Sequence, residues 1–448
     1  MKNKFVRAEL WSAALAIVLG LPVRAQQQEA SDPHAGHHMP AASTSEDKPV
    51  SHGDMNPAGM YLMRMASGTS MNPQSWPMPM LMPKLGSWSM MIMGEDYLID
   101  TQQSGPRGGD KFYSPNWFMA SGVHKLGRGS LLLQSMFSLD PATVTHESYP
   151  LLFQTGETAY GKALVDAQHP HDLFMSLGVS YAHPLGDDTM LQLYYAPVGD
   201  PALGPVAFSH RASAAELPQA PLGHHWQDST HIADNVATVA LHHKWLRVEA
   251  SGFFGTEPDE NRWNIDWGPM NSYSGRVSIF PSKNWMAQVS AGRISKPERQ
   301  TDGDMVRSTA SLHYTRPMTA GTAWSTSLLW GRNHDTASQH NLNSYLLESV
   351  YPVTKVDFLT GRVELVHKDE LFANDPQLEH RLERTAGSTF RVQAYTAGYT
   401  RDIGTFRHVE AGIGANVTAY AIPAAIQPFY GGHPLGGSVF LRFRLKNE

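Results

Sequence analysis

From about Ser87 onward, apolar and polar residues of this 448-residue chain alternate one by one in runs of roughly nine to eleven. A period of two places successive side chains on opposite faces of a strand. Val409, Ala411, Ile413, Ala415, Val417 and Ala419 share one face, and His408, Glu410, Gly412, Gly414, Asn416 and Thr418 share the other. Leu246, Val248, Ala250, Gly252 and Phe254 lie opposite Arg247, Glu249 and Ser251. The runs at 131–139, 191–195, 285–291 and 310–314 repeat the pattern, and the chain closes on Val439, Leu441, Phe443 and Leu445 interleaved with Arg442 and Arg444. Behind the N-terminal segment no stretch approaches 18 apolar residues, which excludes helical membrane spans. With no cysteine there is no disulfide, thiolate ligand or thiol nucleophile, so backbone pairing and packing must hold the fold.

Connector lengths point the same way. Short links are expected near 125–130, 184–188, 281–284, 316–322, 352–355 and 401–404. Longer ones fall at 141–171, 200–232, 256–272, 295–306, 331–341, 367–387 and 418–434. Short and long alternate, as they do in barrels with short periplasmic turns and long outer loops. The expected fold is all-β: an antiparallel transmembrane β-barrel over 87–448, of about 16 strands within a range of 12–18, with both ends periplasmic. A soluble sandwich or propeller also alternates. No blade-length repeat is visible, however, and Trp117, Phe118, Tyr194, Tyr195, Trp263, Trp267, Trp285, Trp324 and Trp330 gather near strand ends, like interfacial girdles.

Export precedes the barrel. Lys2, Lys4 and Arg7 open the chain, an apolar run follows from Trp11 to Leu21, and Val23, Arg24 and Ala25 supply a cleavage site. Residues 1–25 read as a signal peptide, too short for an anchor helix. No cysteine follows that could carry a lipid anchor. The mature chain keeps 31 of 35 basic and 40 of 41 acidic residues, a net charge of −9 that argues against nucleic acid as a partner.

Twelve of the 21 methionines lie between Met39 and Met93. Residues 26–57 are polar and His-bearing, with too little apolar surface to offset ordering entropy, and read as a disordered leader. Residues 58–86 carry Met60, Tyr61, Leu62, Met63, Met65 and Met71, then Pro77, Pro79 and Pro83 between methionines. The prolines forbid a helix or central strand, so this extended apolar segment must pack on the barrel mouth or interior. Thioether sulfur is a soft ligand that prefers Cu(I), whereas imidazole suits Cu(II), zinc and nickel. His34, His37, His38, Met39, His52, Met55, Met60, Met63 and Met65 are therefore candidate ligands. Methionine is also an adaptable filler, and that reading stays open for Met78, Met80, Met82, Met90, Met91 and Met93.

A signal peptide, a leader running His34-Ala35-Gly36-His37-His38-Met39 and His52-Gly53-Asp54-Met55-Asn56-Pro57-Ala58-Gly59-Met60, no cysteine, and then a barrel: this resembles the outer-membrane copper-resistance protein B family. The likeness covers the leader, about 70 residues, and the general architecture. That family tends to repeat Asp-His-Ser-Met-like units many times, which this leader does not. The barrel itself resembles uncharacterised bacterial outer-membrane barrels. The resemblance implies a barrel that lowers the periplasmic copper load, alongside a periplasmic metal-efflux partner.

Long links hold further candidates. His169 and His171, one residue apart on an extended segment, share a face and could chelate one ion. His224 or His225 with Asp228 and His231 would complete a site if a helical turn forms there. The alternative is that these histidines hold an infolded loop by bonding to backbone. Glu257, Asp259 and Glu260 beside Arg262 read as a solvated loop tip. No Gly-x-Ser-x-Gly elbow or His-Glu-x-x-His is present, so no catalytic residue is assigned. Arg247, Glu249, Arg276, His313, Arg391, His408, Glu410, Arg442 and Arg444 are expected to face a pore of mixed sign, suited to water and small polar solutes.

Three functions follow in order. The first is copper handling by an outer-membrane barrel, with Cu(I) at the leader and outer-membrane lipid and a metal ion as partners. The second is a general or substrate-selective porin for a small polar solute, its methionines structural. The third is an outer-membrane enzyme.

Overall fold

A computed structural model describes residues 55–228, 233–297 and 303–447. The signal peptide and nearly all of the leader lie outside the described residues. Sixteen antiparallel strands close into a barrel. They are β1 Trp88–Gln103, β2 Asn116–Leu126, β3 Gly129–Phe137, β4 Phe174–Gly186, β5 Thr189–Val198, β6 Asp234–His243, β7 Leu246–Phe254 and β8 Ser272–Ser282. Then follow β9 Trp285–Ser295, β10 Asp304–Pro317, β11 Ala323–Asp335, β12 Asn341–Pro352, β13 Asp357–Lys368, β14 Phe390–Phe406, β15 Val409–Ala421 and β16 Leu435–Leu445. Each pairs with the next. β1 closes the ring by pairing with β2 from Ser89↔Val123 to Asp96↔Asn116, and with β16 from Glu95↔Arg444 to Gln103↔Gly436.

The alternation resolves as the pattern requires. Leu193, Val239, Val248, Val289, Leu328 and Val417 point outward and are exposed, while Gln192, Thr238, Glu249, Gln288, Ser327 and Asn416 point inward and are buried. An apolar band outside a polar interior, with every ladder closed, is the construction a bilayer demands. At the short-turn rim Trp285, Tyr314, Trp324 and Tyr351 stand on four successive strands, with ring centroids 4.6, 5.5 and 6.1 Å apart. That row is an interfacial girdle. Val289, midway along β9, is 56% exposed. Val289→Arg should therefore cost about 2–4 kcal/mol of barrel stability, the usual cost of a cation at mid-bilayer. A urea midpoint equal to wild type after refolding into vesicles would remove this face from lipid.

Short turns span 127–128, 187–188, 244–245, 283–284, 318–322, 353–356 and 407–408 at one rim, and the longer links gather at the other. Two turns differ from expectation. The turn at 244–245 is built on Lys244 at φ +53°, and the turn expected at 401–404 lies instead at 407–408 on Arg407 at φ +54°. Neither carries the glycine or asparagine that normally marks such a turn. Within link 138–173 the chain makes an extra hairpin, Tyr149–Ala159 against Lys162–Gln168.

The lumen is filled. Near the short-turn rim Pro57–Leu62 forms one short helix, which the expectation of a wholly extended segment missed. The three prolines behind that expectation all follow the helix, whereas Pro57 opens it at a position where its missing N–H costs nothing. Asn56 caps it by accepting from Gly59 N at 2.8 Å. Its buried face packs on Val123, Leu132 and Ala182 of the inner wall.

Link 199–233 also folds inward. Ala202 and Gly204 donate backbone N–H to Ser251 and Ser290, both at 2.8 Å. Farther along, Ser213 Oγ donates to Ser327 Oγ at 2.7 Å, and Lys368 Nζ donates to Leu222 O at 2.9 Å. The wall makes room where backbone meets backbone: a Cβ on Gly331 would stand 2.1 Å from Trp226 O. At the long-loop rim Leu152, Phe153, Leu222, Trp226, Phe372 and Tyr430 bury one another as a cap.

The inward charges are accordingly paired. Glu348 bonds Arg211 at 2.5 Å and Arg362 at 3.1 Å, Glu249 bonds Arg276 and Arg247, and Arg442 and Arg444 share Glu216 and Glu410. Inward charges of both signs are thus present, as expected, and they are paired with one another and with the infolded link. Arg391 and His408 are exposed and leave the inward set altogether.

Candidate metal centre in the lumen

Burying a polar loop inside a barrel forces its histidines to find partners. His169 follows the extra hairpin, and His224 and His225 sit on the four-residue helical turn His224–Gln227 at the tip of the infolded link. The helical turn on which a shared site depended is present. One ring nitrogen from each of His169, His224 and His225 lies within 4.8 Å of the other two, and all three residues are buried. Ring centroids of His224 and His225 are 4.1 Å apart, and His169 lies 6.3 and 5.7 Å from them.

The opposite ring edges are held. His169 Nδ1 lies 2.9 Å from Pro170 O, and His224 Nδ1 2.8 Å from Pro221 O. His225 Nδ1 faces Glu257 Oε1 at 3.6 Å. Fixing one imidazole nitrogen on a carbonyl or carboxylate orients the other as a metal ligand. Glu157 Oε1, 3.1 Å from His169 Nε2, offers an oxygen at the same place. Metal–nitrogen bonds of about 2.0–2.1 Å require ligand nitrogens closer than 4.8 Å, so loading would draw the three rings together.

Carboxylates border the cluster. Glu157 is ion-paired with Arg262, which also reaches Asp172 at 3.5 Å. Burial pushes Glu257 well above the usual carboxylate range, and the nearby carboxylates Glu157 and Glu370 push it further. Burial also holds His169 and His224 well below the ordinary histidine value of 6.5. Both stay neutral, and able to bind a metal, to lower pH than a solvent-exposed histidine. Metal affinity at this cluster should therefore stay level as pH falls from about 7.5 to 5.5, where an ordinary histidine site loses its ligands to protons. Isothermal titration across that range checks it; a drop centred near pH 6.5 would contradict the burial argument.

Not every candidate joins the cluster. His171 turns away: its ring Nδ1 lies 2.8 Å from Asp140 Oδ2 and its backbone N–H donates to the same oxygen at 3.1 Å. The residues flanking Pro170 thus do not present one shared face. Asp228 is buried nearby and accepts from Arg307 through its carbonyl at 2.5 Å. His34, His37, His38, Met39, His52 and His231 lie outside the described residues. Met55 is half-buried. Met60 and Met63, with Met78, Met80 and Met82, line a vestibule of ≈ 960 Å³ at the short-turn rim. Met65 is buried, its sulfur 3.6 Å from Arg247. Glu257 and Arg262 are buried too, not a solvated tip: Glu257 flanks the cluster and Arg262 anchors Glu157. The sequence signal for them was opposite charges set close together in a link of intermediate length, which does not distinguish burial from solvation.

The fold and site together define a membrane-spanning 16-strand barrel with an occupied lumen. No protein-family model matches the chain, and no curated protein matches it. Among solved structures, an anion-selective porin from Comamonas acidovorans aligns over 80% of this chain and 100% of its own, at 11% identity and TM-score 0.48. A high-pH structure of Pseudomonas putida OprB aligns over 80% and 94%, at 7% identity and TM-score 0.48. Salmonella typhi OmpF in complex with daunomycin aligns over 80% and 98%, at 9% identity and TM-score 0.46.

Proposed function

We propose that this protein is a bacterial outer-membrane barrel that binds and handles a soft transition metal, with copper as the metal. The observation that carries the reading is the buried cluster of His169, His224 and His225. It stands above a vestibule lined by Met60, Met63, Met78, Met80 and Met82. Three neutral imidazoles beside carboxylates suit copper or zinc, and thioethers favour copper in its reduced state. In this reading the short-turn rim and the leader face the periplasm, the long links face outward, and copper is cargo. The leader's His34, His37, His38, Met39 and His52 collect the ion, and a periplasmic metal-efflux system is the natural supplier.

The test is a deletion strain complemented with wild type or with His169→Ala/His224→Ala. Wild type should restore copper tolerance, and the double variant should not, although its barrel still shows heat-modifiable migration. Equal tolerance with both would end the copper reading. A second reading, a substrate-selective porin, is favoured by the wide ≈ 960 Å³ vestibule and the polar inner wall. Solute uptake into proteoliposomes, unaffected by the same double variant, would support that alternative.

A further inference from the structure

The inner wall, apolar near the short turns where Met91, Val123 and Leu132 pack on the Pro57–Leu62 helix, also carries three methionines in register. Met93 on β1 is the cross-strand partner of Met119 on β2, and Met119 is the partner of Met136 on β3. Directly opposed residues have Cβ atoms about 4.5–5.5 Å apart, so the three thioethers stand side by side. They are 3, 3 and 5% exposed and pack with Met78, Met80, Met175 and Trp117. Their inward neighbours on the same strands are Met91, Glu95, Trp117, Ser121 and Gln134.

An imidazole completes the row. His210, from the infolded link, places Nε2 3.2 Å from Met136 Sδ. Its ring packs on the indole of Trp117 with centroids 4.7 Å apart. Asn72 holds it in place by donating to His210 O at 2.8 Å. Beside it lies a cavity of ≈ 40 Å³, lined in part by Met78, Met93, Trp117 and His210. About 10–15 Å³ of such space already admits a water-sized sphere, so there is room for an ion beside Met93 and His210.

We propose that Met93, Met119, Met136 and His210 form a second metal site, which takes a soft monovalent cation, Cu(I) or Ag(I). The proposal rests on the soft-metal reading of the barrel and adds to it a site of different chemistry. All four donors are neutral, and soft thioethers select a soft ion. Arg211, Arg444 and Glu95 also border the cavity, and Glu348, Glu216 and Glu410 pair with the guanidiniums.

The site also has a place on a route. Met78 lines both the short-turn vestibule and the small cavity. Met136 and His210 in turn line the cavity of ≈ 100 Å³ that reaches His169 and His224. A cation entering at the vestibule would meet the thioether row before the imidazole cluster.

Ag(I) is the probe, because it is soft, monovalent and redox-inert. The full-length barrel in detergent is titrated with Ag(I), reading bound silver after dialysis and quenching of tryptophan emission. Met93→Leu/Met119→Leu/Met136→Leu keeps volume and removes the sulfurs, a change that cores tolerate well. It should lose one bound equivalent of Ag(I) and the associated quenching, and Trp117→Phe should lose the quenching alone. An unchanged Ag(I) stoichiometry in the triple variant overturns the proposal. His169→Ala/His224→Ala separates the two sites. If it loses copper while the triple variant loses no silver, the functional reading stands and this site falls. If the triple variant alone loses metal, this site stands and the imidazole cluster falls. Should the triple variant fail to fold, Met136→Leu alone, with the same readouts, decides.

Discussion

Glu348→Ala should turn a closed lumen into a conducting one. Glu348 sits on β12 with no exposure and holds two guanidiniums: Arg211 of the infolded link at 2.5 Å and Arg362 of β13 at 3.1 Å. Ser213 of the same link donates to it at 2.8 Å. Removing the carboxylate leaves two buried cations facing each other with nothing between. Breaking a buried pair in this way typically costs about 3–5 kcal/mol. The barrel wall, closed by its ladders, cannot yield; the stretch of the link around Arg211 and Ser213 can, while Glu216 remains paired with Arg442 and Arg444 and Leu222 and Trp226 remain packed in the cap. The cost should therefore appear as displacement of the link around Arg211 and Ser213 from the inner wall. Planar-bilayer recordings should show steady conductance in Glu348→Ala well above that of wild type. An apolar replacement of the whole cluster, Arg211→Met with Glu348→Leu and Arg362→Met, should restore closure, because well-packed apolar groups often replace buried ion pairs without loss. Equal conductance in wild type and Glu348→Ala would mean that this triad does not hold the link.

His224→Ala should abolish metal binding at the imidazole cluster, and Glu257→Gln should weaken it. His224 is one of three clustered donors, and its Nδ1 is already committed to Pro221 O, so its loss removes a first ligand. Glu257 faces the Nδ1 of His225 at 3.6 Å and reaches the cluster through that ring. Loss of such an outer partner typically costs about 10–100-fold in affinity. The expected order is thus wild type tightest, Glu257→Gln intermediate and His224→Ala without measurable binding at this cluster. Competition against a chromophoric chelator, using Cu(II) and Zn(II) so that the thioethers do not contribute, measures it. If His224→Ala binds as wild type does, the cluster is a hydrogen-bonded loop anchor and nothing more.

The barrel was legible because its information is local. Each strand states its own faces through alternation, and Leu193 or Val289 needs no distant partner to point toward lipid. Two turns escaped because Lys244 and Arg407 take positive φ without a glycine to announce it. The helix at Pro57–Leu62 was hidden by the prolines that follow it, although Asn56 and Pro57 are a capping residue and a helix-opening proline in sequence.

The candidate site was half legible. His224 and His225 were candidates on condition that a helical turn formed, and His169 was a candidate with His171; bringing His169 to the other two depends on a hairpin that the link at 138–173 did not advertise. His171 was grouped with His169 on spacing alone, and Asp140 claims it instead. Glu257 and Arg262 read as solvated because charges in links usually are; only the cap of loops over the mouth puts them inside.

By itself, then, the sequence determined an all-β barrel of about sixteen strands, which side of each strand meets lipid, and a soft-ligand composition at its front, since alternation and ligand chemistry belong to single residues and near neighbours. Tertiary structure alone decided that the lumen is filled rather than open. It also decided that the inward charges pair with the infolded link, and that Met93, Met119 and Met136 stand beside His210. These depend on strand register and on where a long link comes to rest. Both are set by contacts between residues scores of positions apart, such as Arg211 with Glu348, which no local pattern encodes.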